Sequence, residues 1–328
     1  PSSDVWPEDI AFTIEANKYV EALLKAYFDA FEGFGEMLHE HLIANMLSVK
    51  EMKEQDAIAN DIFRRLVPVP LVDKYDAYQA LSDHWQMIVN DIETIQSEGI
   101  DAVRKVEQAY KIVKKNEEEV EVADGMRGRI LPFHLVQGFL FLDEKAEIVA
   151  LQERIAAIDG DLDAARDELL TMEEADKYLD ADNDNALLKK EITTDAKPKA
   201  DVEKELKAHL KAIVDLWNEQ SAKKKQVKQA LASLEAKTIE AIEHLGDDDV
   251  DRLLHLKWIS PVTVAIQALP NAIVQQLIDA VVRLSDKYAV TYAEIKSAIE
   301  ASEQSLKDLI GQLEGDAYAL SGLNNLIK

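Results

Sequence analysis

The stretch LKAHLKAIVDLWNEQSAKKKQVKQALASLEAKTIEAIEHL, residues 206–245, decides the fold of this chain. Apolar residues recur in it at alternating intervals of four and three, which is the 3.5-residue period of a left-handed coiled coil. Only Gln220 and Lys224 interrupt the seam, whose members are Leu206, Leu210, Ile213, Trp217, Val227, Leu231, Leu234, Thr238, Ala241 and Leu245. A helix of this length spans about 60 Å at 1.5 Å per residue, so it needs a partner to cover the seam.

A second seam with the same spacing lies earlier in the chain and can supply that partner. Its members are Ile148, Leu151, Ile155, Ile158, Leu162, Ala165 and Leu169. Between the two seams, residues 181–200 contain the polar sequences DNDN and TTDAKPK, a composition that reverses chain direction. We therefore predict an antiparallel coiled-coil hairpin, an arm over residues 136–245, that projects from a helical body.

The segments on either side of the arm also favour helices. Glycine and proline are few, at eleven and eight in 328 residues, and apolar residues recur at helical spacing over residues 10–31, 48–66 and 71–95. We expect residues 102–115 to be helical, Pro270 to divide the helices near it, and no strand. The predicted fold is all-α, with an N-terminal helical segment over 1–125. A C-terminal helical domain over 126–328 holds the arm and, over 247–328, closing helices.

The composition limits the classes of function that the chain can have. The chain has 63 acidic and 37 basic residues and a net charge of −26, a surface that repels nucleic-acid phosphates and suits a basic protein partner. It has no cysteine, which excludes disulfides, thiolate metal sites and cysteine nucleophiles. Because no apolar run approaches the ~20 residues of a membrane span and no secretory leader is visible, we expect a cytoplasmic protein without a membrane partner.

The predicted hairpin tip carries a calcium-loop pattern. Asp180, Asp182, Asp184 and Glu191 occupy positions 1, 3, 5 and 12 of that template, where carboxylates converge on one ion. Position 6 holds Asn185 in place of glycine, and asparagine can adopt the left-handed conformation needed there. An acidic, solvated tip explains the same residues without an ion. The alternative function is thus a free-standing coiled-coil scaffold protein that binds calcium at its hairpin tip.

No catalytic constellation is recognisable in the sequence. His39 and His41 point about 200° apart on a helix, so they cannot share a metal ion. The remaining histidines are scattered and complete no nucleophile–base pair. We therefore assign no catalytic, cofactor-binding or metal-binding residue. The helical pattern therefore favours an interaction module over a self-contained enzyme.

Three long stretches carry a family resemblance. They are VPLVDKYDAYQALSDHWQMIVNDIETI (69–95), LPFHLVQGFLFLDEKAEIVALQERIA (131–156), and DDDVDRLLHLKWISPV (247–262) with LSDKYAVTYAEI (284–295) and LSGLNNL (320–326). In this order they resemble parts of the modification subunit of type I restriction–modification DNA methyltransferases. The second stretch is similar to the start of that subunit's C-terminal helical region, and the third set is similar to its end.

The resemblance implies a role within a larger assembly. The intact subunit binds S-adenosylmethionine and methylates adenine at its exocyclic amine, together with a specificity subunit and, in the larger complex, a restriction subunit. The family's Asn-Pro-Pro catalytic signature is absent here, since no two prolines are adjacent and no asparagine precedes a proline. The chain therefore resembles the C-terminal portion of such a subunit. That portion packs on the specificity subunit, holds no cofactor and reaches DNA only through the complex.

Apolar stripes near the C-terminus supply candidate anchors for the specificity subunit. Aromatic and leucine side chains bury the most area in such contacts. The candidates are Trp258, Leu269, Leu277, Tyr288 and Leu320. The opposing interpretation is that these side chains form the core of this chain itself.

Overall fold

The computed structural model describes residues 9–69, 71–115, 118–180, 183–198 and 200–311, and this part of the chain is mainly α-helical, as predicted. Its α-helices are α1 Ile10–Glu15, α2 Lys18–Ala30, α3 Phe34–Leu38, α4 Glu51–Leu66, α5 Lys74–Glu98, α6 Phe133–Leu140, α7 Leu142–Leu169, α8 Lys189–Asp195, α9 Lys204–Glu243, α10 Asp247–Leu254 and α11 Ser260–Gly311. π-helical turns cover His39–Ala44 and His255–Ile259, and 3₁₀ turns cover Ile100–Arg104 and Ala175–Lys177. The strands are β1 Val106–Lys115, β2 Glu118–Gly128, β3 Leu179–Asp180 and β4 Ala186–Leu187.

The chain divides into two compact units, each built from separate parts of the sequence. The first comprises Pro1–Leu38, Lys50–Gln86 and Ser260–Lys328, and the second comprises His39–Val49 and Met87–Ile259. Helix α5 contributes its first half to one unit and its second half to the other. The division predicted between residues 125 and 126 falls within β2, inside the second unit. As a boundary between domains it stays a prediction.

The first unit buries an aromatic cluster beneath α11. The rings of Tyr27, Phe31 and Phe34 contact one another in sequence, with centroid separations of 5.0 and 5.5 Å. Helix α11 contacts α1, α2 and α3, and its Val262 and Ile266 are buried. Burial of aromatic and aliphatic side chains of this size is the main stabilising term in such a helical core.

Helix α11 corrects the expectation that Pro270 divides the helices, because it continues through Pro270 to Gly311. A proline has no N–H to donate to the carbonyl four residues earlier, here that of Ile266. The hydroxyl of Tyr27 donates to this oxygen instead, at 2.9 Å. A residue 239 positions away thus satisfies the carbonyl that the proline leaves without its usual donor.

One stretch within the described residues, Asp247–Tyr288, is long and apolar enough to cross a membrane when judged by length and composition alone. This stretch departs from the expectation that no apolar run approaches the length of a membrane span. The apolar window has a mean hydropathy of 1.2, and 17% of it is buried. Core helices of proteins without membrane spans pass the same test, so this measure by itself assigns no location.

In the second unit, α7 and α9 lie side by side and run antiparallel. Lys237, late in α9, forms an ion pair with Glu144 at the start of α7, at 2.9 Å. The Nε2 atom of His209, early in α9, lies 2.7 Å from the carbonyl oxygen of Ala165 near the end of α7. Early residues of one helix therefore meet late residues of the other.

The segment between α7 and α9 closes on a small core of its own. The strands β3 and β4 pair antiparallel, with Leu179 opposite Leu187, and α8 follows them. The buried members of this tip core are Leu169, Ala175, Tyr178, Leu179, Ile192, Leu206, Leu210 and Ile213. The tip is therefore a packed element with its own apolar interior.

The hairpin of β1 and β2 corrects two expectations, that the chain has no strand and that residues 102–115 are helical. The strands pair antiparallel from Val106 opposite Gly128 to Lys115 opposite Glu118, with an irregularity between Gln108 and Tyr110. Apolar residues of both strands stay exposed, among them Tyr110, Ile112, Val120 and Val122. Tyr110-Lys111-Ile112 and Val120-Glu121-Val122 do alternate apolar and charged residues, but these runs are too short to outweigh the helical interpretation of residues 102–115.

Candidate functional site

An apolar groove lies between α1 and α11 in the first unit. It encloses about 370 Å³ and is lined by Ile10, Thr13, Ile14, Val281, Leu284, Ser285 and Tyr288. The lining is aliphatic and aromatic apart from two small hydroxyl residues, which suits an apolar side chain more than a charged ligand. Its walls come from two helices that are far apart in the sequence, and we take it as a candidate binding surface of the first unit.

The α11 wall of the groove presents large apolar side chains to solvent. Leu284 is 53% exposed and Tyr288 is 63% exposed, although Ile10 on the opposite wall is buried. Leu277, 46% exposed, lies two helical turns before Leu284 on the same face of α11. Exposed apolar side chains that form a row beside a groove are typical of a helix-docking surface.

The five predicted docking residues differ in their exposure to solvent. Leu277 and Tyr288 lie on the surface row of α11, and Leu269 is half-buried. Trp258 is fully buried, which corrects the expectation that it belongs to an exposed stripe. Leu320 lies outside the described residues. Of the five, Leu277 and Tyr288 are therefore the described residues with large exposed surfaces.

Sequence reasoning missed two parts of this surface. Leu284 carries a readable signal, because it follows Leu277 by seven residues and precedes Tyr288 by four, the spacing of one helix face. The wall formed by Ile10 and Ile14 has no such signal, since the contact between α1 and α11 joins residues some 270 positions apart.

The burial of Trp258 depends on a polar network in the second unit. Its indole N–H donates to Asp91 Oδ2 at 2.8 Å. Lys257 pairs with the same carboxylate oxygen at 2.5 Å and also donates to the carbonyl oxygen of Ile130. Asp91 thereby balances the charge of Lys257 and accepts the indole N–H of Trp258. These two contacts explain how the neighbouring lysine and tryptophan can both be buried.

The structure describes three of the calcium-loop residues: Asp180 lies in β3, Asp184 lies shortly before β4, and Glu191 lies in the first turn of α8. Asp184 and Asn185 have φ values of 50° and 53°, so Asn185 adopts the left-handed conformation expected of it. Asp182 lies outside the described residues. Among the described residues no group of three or more potential ligands is placed to hold a metal ion. Calcium binding by the complete set of four carboxylates stays a prediction.

His39, one of the two histidines considered above as metal ligands, lies against a carboxylate. His39 Nε2 lies 2.8 and 3.0 Å from the two carboxylate oxygens of Asp251. The ring of His255 lies 6.2 Å from that of His39, measured between centroids. This cluster connects the π-helical turn at His39–Ala44 with α10 and the turn that follows it, and we assign it a structural role.

The base of the β1–β2 hairpin is an ion-pair network. Arg129 donates to Glu98 at 2.6 Å and to Glu107 at 2.7 Å, and Arg127 also donates to Glu107. Hydrogen bonds from Arg129 and Lys105 lower the pKa of Glu98. Burial raises the pKa of Glu107, but its hydrogen bonds with Arg129 and Arg127 outweigh that effect and the pKa falls below its ordinary value.

Comparisons with known proteins identify no relative of this chain. No protein-family model, no curated protein and no solved structure matches it. The resemblance to type I modification subunits therefore rests on the quoted sequence stretches, and the surfaces described above are interpreted from their own chemistry.

Proposed function

We propose that this chain is the C-terminal helical module of a type I modification subunit and that it assembles with a specificity subunit without catalysing a reaction itself. The observation that carries the proposal is the groove between α1 and α11 with its exposed row Leu277, Leu284 and Tyr288. A surface of this kind receives an apolar helix face of a partner. The quoted stretches supply the identity of that partner.

The charge of the chain agrees with this role. A net charge of −26 disfavours direct contact with DNA phosphates, and it accelerates encounter with a more basic protein. DNA is then reached only through the assembled complex, to which a restriction subunit can add. The S-adenosylmethionine site and the methylation of adenine belong to the part of the subunit that this chain does not resemble, and we place the complex in the cytoplasm.

We further propose that α7 and α9 form the coiled-coil arm of this module. Both ends of the α9 seam are buried, with Leu206, Leu210, Leu234 and Leu245 among the buried residues. The middle of the seam, where Gln220 and Lys224 replace apolar residues, is more open, and Leu231 is 47% exposed.

An ion pair and a hydrogen bond support the same arm where its apolar seam is weakest. Arg154 of α7 donates two hydrogen bonds to Glu219 of α9, at 2.7 and 2.9 Å, and Gln220 donates to Asp159. A bidentate arginine–carboxylate pair fixes the rotation of one helix against the other. Such contacts select the antiparallel register that the two seams require.

Calorimetric titration with the specificity subunit encoded beside this chain tests the docking surface. Tyr288→Asp and Leu277→Asp should each weaken binding at least tenfold, because a charge would face an apolar partner surface. Gln276→Asp adds the same charge one residue away and should leave the dissociation constant within about twofold. Equal binding by Tyr288→Asp, Leu277→Asp and the unmodified chain would remove the groove from the proposal.

A further inference from the structure

A second apolar row continues along α11 beyond the groove. Ile295, Ile299, Leu306 and Leu309 are each about half exposed, at 55, 54, 48 and 58%. With Ser302 they follow spacings of four, three, four and three, which is the seam of a coiled coil. Every residue of 294–309 is exposed in the described part of the chain, so no described element covers this row.

The serine in the row does not prevent its burial. The hydroxyl of Ser302 donates to the carbonyl oxygen of Ala298 at 2.8 Å, so its donor is satisfied within α11 itself. Ala298 and Ser302 are small, and they leave a shallow groove beside Ile295, Ile299 and Leu306. A large side chain from a facing helix can enter a depression of this kind, as in knobs-into-holes packing.

The charges beside the row indicate which helix fits. Lys296 and Glu303 lie on the same edge of the seam, seven residues apart, and both are exposed. If two α11 helices pack antiparallel about an axis between Glu300 and Ala301, Lys296 of each copy lies on the same flank of the seam as Glu303 of the other. The two residues are offset by about 3 Å along the helix axis, which their long side chains can span. In a parallel pair these residues would face small uncharged side chains instead. The pattern is therefore self-complementary in the antiparallel arrangement alone.

The local charge also permits two copies to approach. Residues 295–309 contain two lysines, two glutamates and one aspartate, a net charge of −1 in a chain with a net charge of −26. The same register places Ile295 opposite Leu306 of the second copy and Ile299 opposite its Ser302. Two apolar layers therefore flank two layers in which an isoleucine meets a small serine. Repulsion between the acidic surfaces is thus weakest where the apolar row is exposed.

We propose that this chain forms a homodimer in which residues 295–306 of α11 pack antiparallel against the same segment of a second copy. The contact is distinct from the groove lined by Leu284 and Tyr288, and it requires no specificity subunit. Its success or failure is therefore independent of the docking proposal.

Sedimentation equilibrium of the full chain alone, from low to high micromolar concentration, tests the dimer. The average mass should rise from 36.8 kDa toward twice that value as concentration increases. Ile299→Asp should keep the chain monomeric throughout. Ser297→Asp introduces the same charge on the opposite side of α11 and should dimerise like the unmodified chain, with circular dichroism verifying equal helix content.

Charge exchange tests the antiparallel register. Lys296→Glu and Glu303→Lys should each weaken the homodimer about tenfold, because two attractive pairs become repulsive. An equimolar mixture of these two variants should recover dimers, since every facing pair in the mixed dimer has opposite charges.

Three outcomes would overturn the proposal: a monomer at every concentration, a dimer that survives Ile299→Asp, or a mixture of charge variants that stays monomeric. The first two outcomes would mean that the row binds a different partner or none. The third would exclude the antiparallel register on which the argument depends.

Discussion

At the scale of single residues, the carbonyl oxygen of Ile266 shows how a distant side chain can keep a helix intact. Pro270 cannot donate to this oxygen, and the buried hydroxyl of Tyr27 donates to it. Burial also raises the pKa of this hydroxyl far above its ordinary value, so Tyr27 remains a donor at every physiological pH. The hydrogen bond is therefore a constant part of the first unit.

Removing that hydroxyl should destabilise the first unit. Tyr27→Phe leaves the Ile266 carbonyl without a donor in a buried setting, and the free energy of unfolding should fall by about 1–3 kcal/mol in urea denaturation. In a Pro270→Ala background the backbone N–H of residue 270 can donate to Ile266. The same Tyr27→Phe change should then cost clearly less, and an identical cost in both backgrounds would contradict this explanation.

At the scale of elements, the β1–β2 hairpin depends on ionised carboxylates at its base. The pKa values of Glu98 and Glu107 are lowered in the folded chain. A lowered pKa means that the stabilisation is fully present above the ordinary glutamate value of about 4.3 and is lost as pH falls through the lower folded values. The hairpin base should therefore loosen in acid before the apolar cores do.

Hydrogen exchange of β1 and β2 measured between pH 6 and pH 3 tests this prediction. After correction for the intrinsic pH dependence of exchange, protection should decline as pH falls below about 4.3. Arg129→Gln should reduce protection at pH 6 and flatten the decline. Lys111→Gln, which removes a surface pair with Asp124 farther along the hairpin, serves as the control. Equal pH profiles for Arg129→Gln and the unmodified chain would count against the network.

The α9 seam supplies a second prediction at this scale. Leu210 is fully buried in the tip core, whereas Leu231 is 47% exposed at the open middle of the seam. Leu210→Ala should lower the free energy of unfolding by about 2–5 kcal/mol, and Leu231→Ala should lower it by less than about 1 kcal/mol. Thermal and urea denaturation measure the free energy of unfolding of both variants. A larger cost at Leu231 would mean that another surface covers the middle of the seam.

The elements also show how far sequence can predict structure. Periodicity predicted α5, α7 and α9 because each contacts a core along one face, so the pattern is local. It missed the β1–β2 hairpin, since the two strands pair mainly with each other and the apolar alternation in each of them is short. The continuation of α11 through Pro270 was equally unreadable, because it depends on Tyr27.

In the candidate site, too, some features could be predicted from the sequence and others could not. The row containing Leu277 and Tyr288 was readable as a helix face, since its residues are close in sequence. The position of Trp258 was not, because its burial requires Asp91 from α5 to accept its N–H and balance Lys257. Residue type alone cannot separate an exposed anchor from a core residue when the deciding partner lies 167 positions away.

At the scale of the whole molecule, the properties described above fit a protein that acts by assembly. In the proposed function, the acidic surface and the exposed rows on α11 serve contact between proteins. The central proposal is therefore that this chain docks a specificity subunit.

Gel filtration with light scattering measures that docking most directly. The chain would be run alone and then mixed with the specificity subunit encoded beside it, and the mass of each peak would be determined. We predict one peak whose mass equals a stoichiometric complex and which contains both proteins. Separate elution of two folded proteins at micromolar concentrations, with each peak at its own mass, would contradict the claim that this helical module is sufficient for assembly.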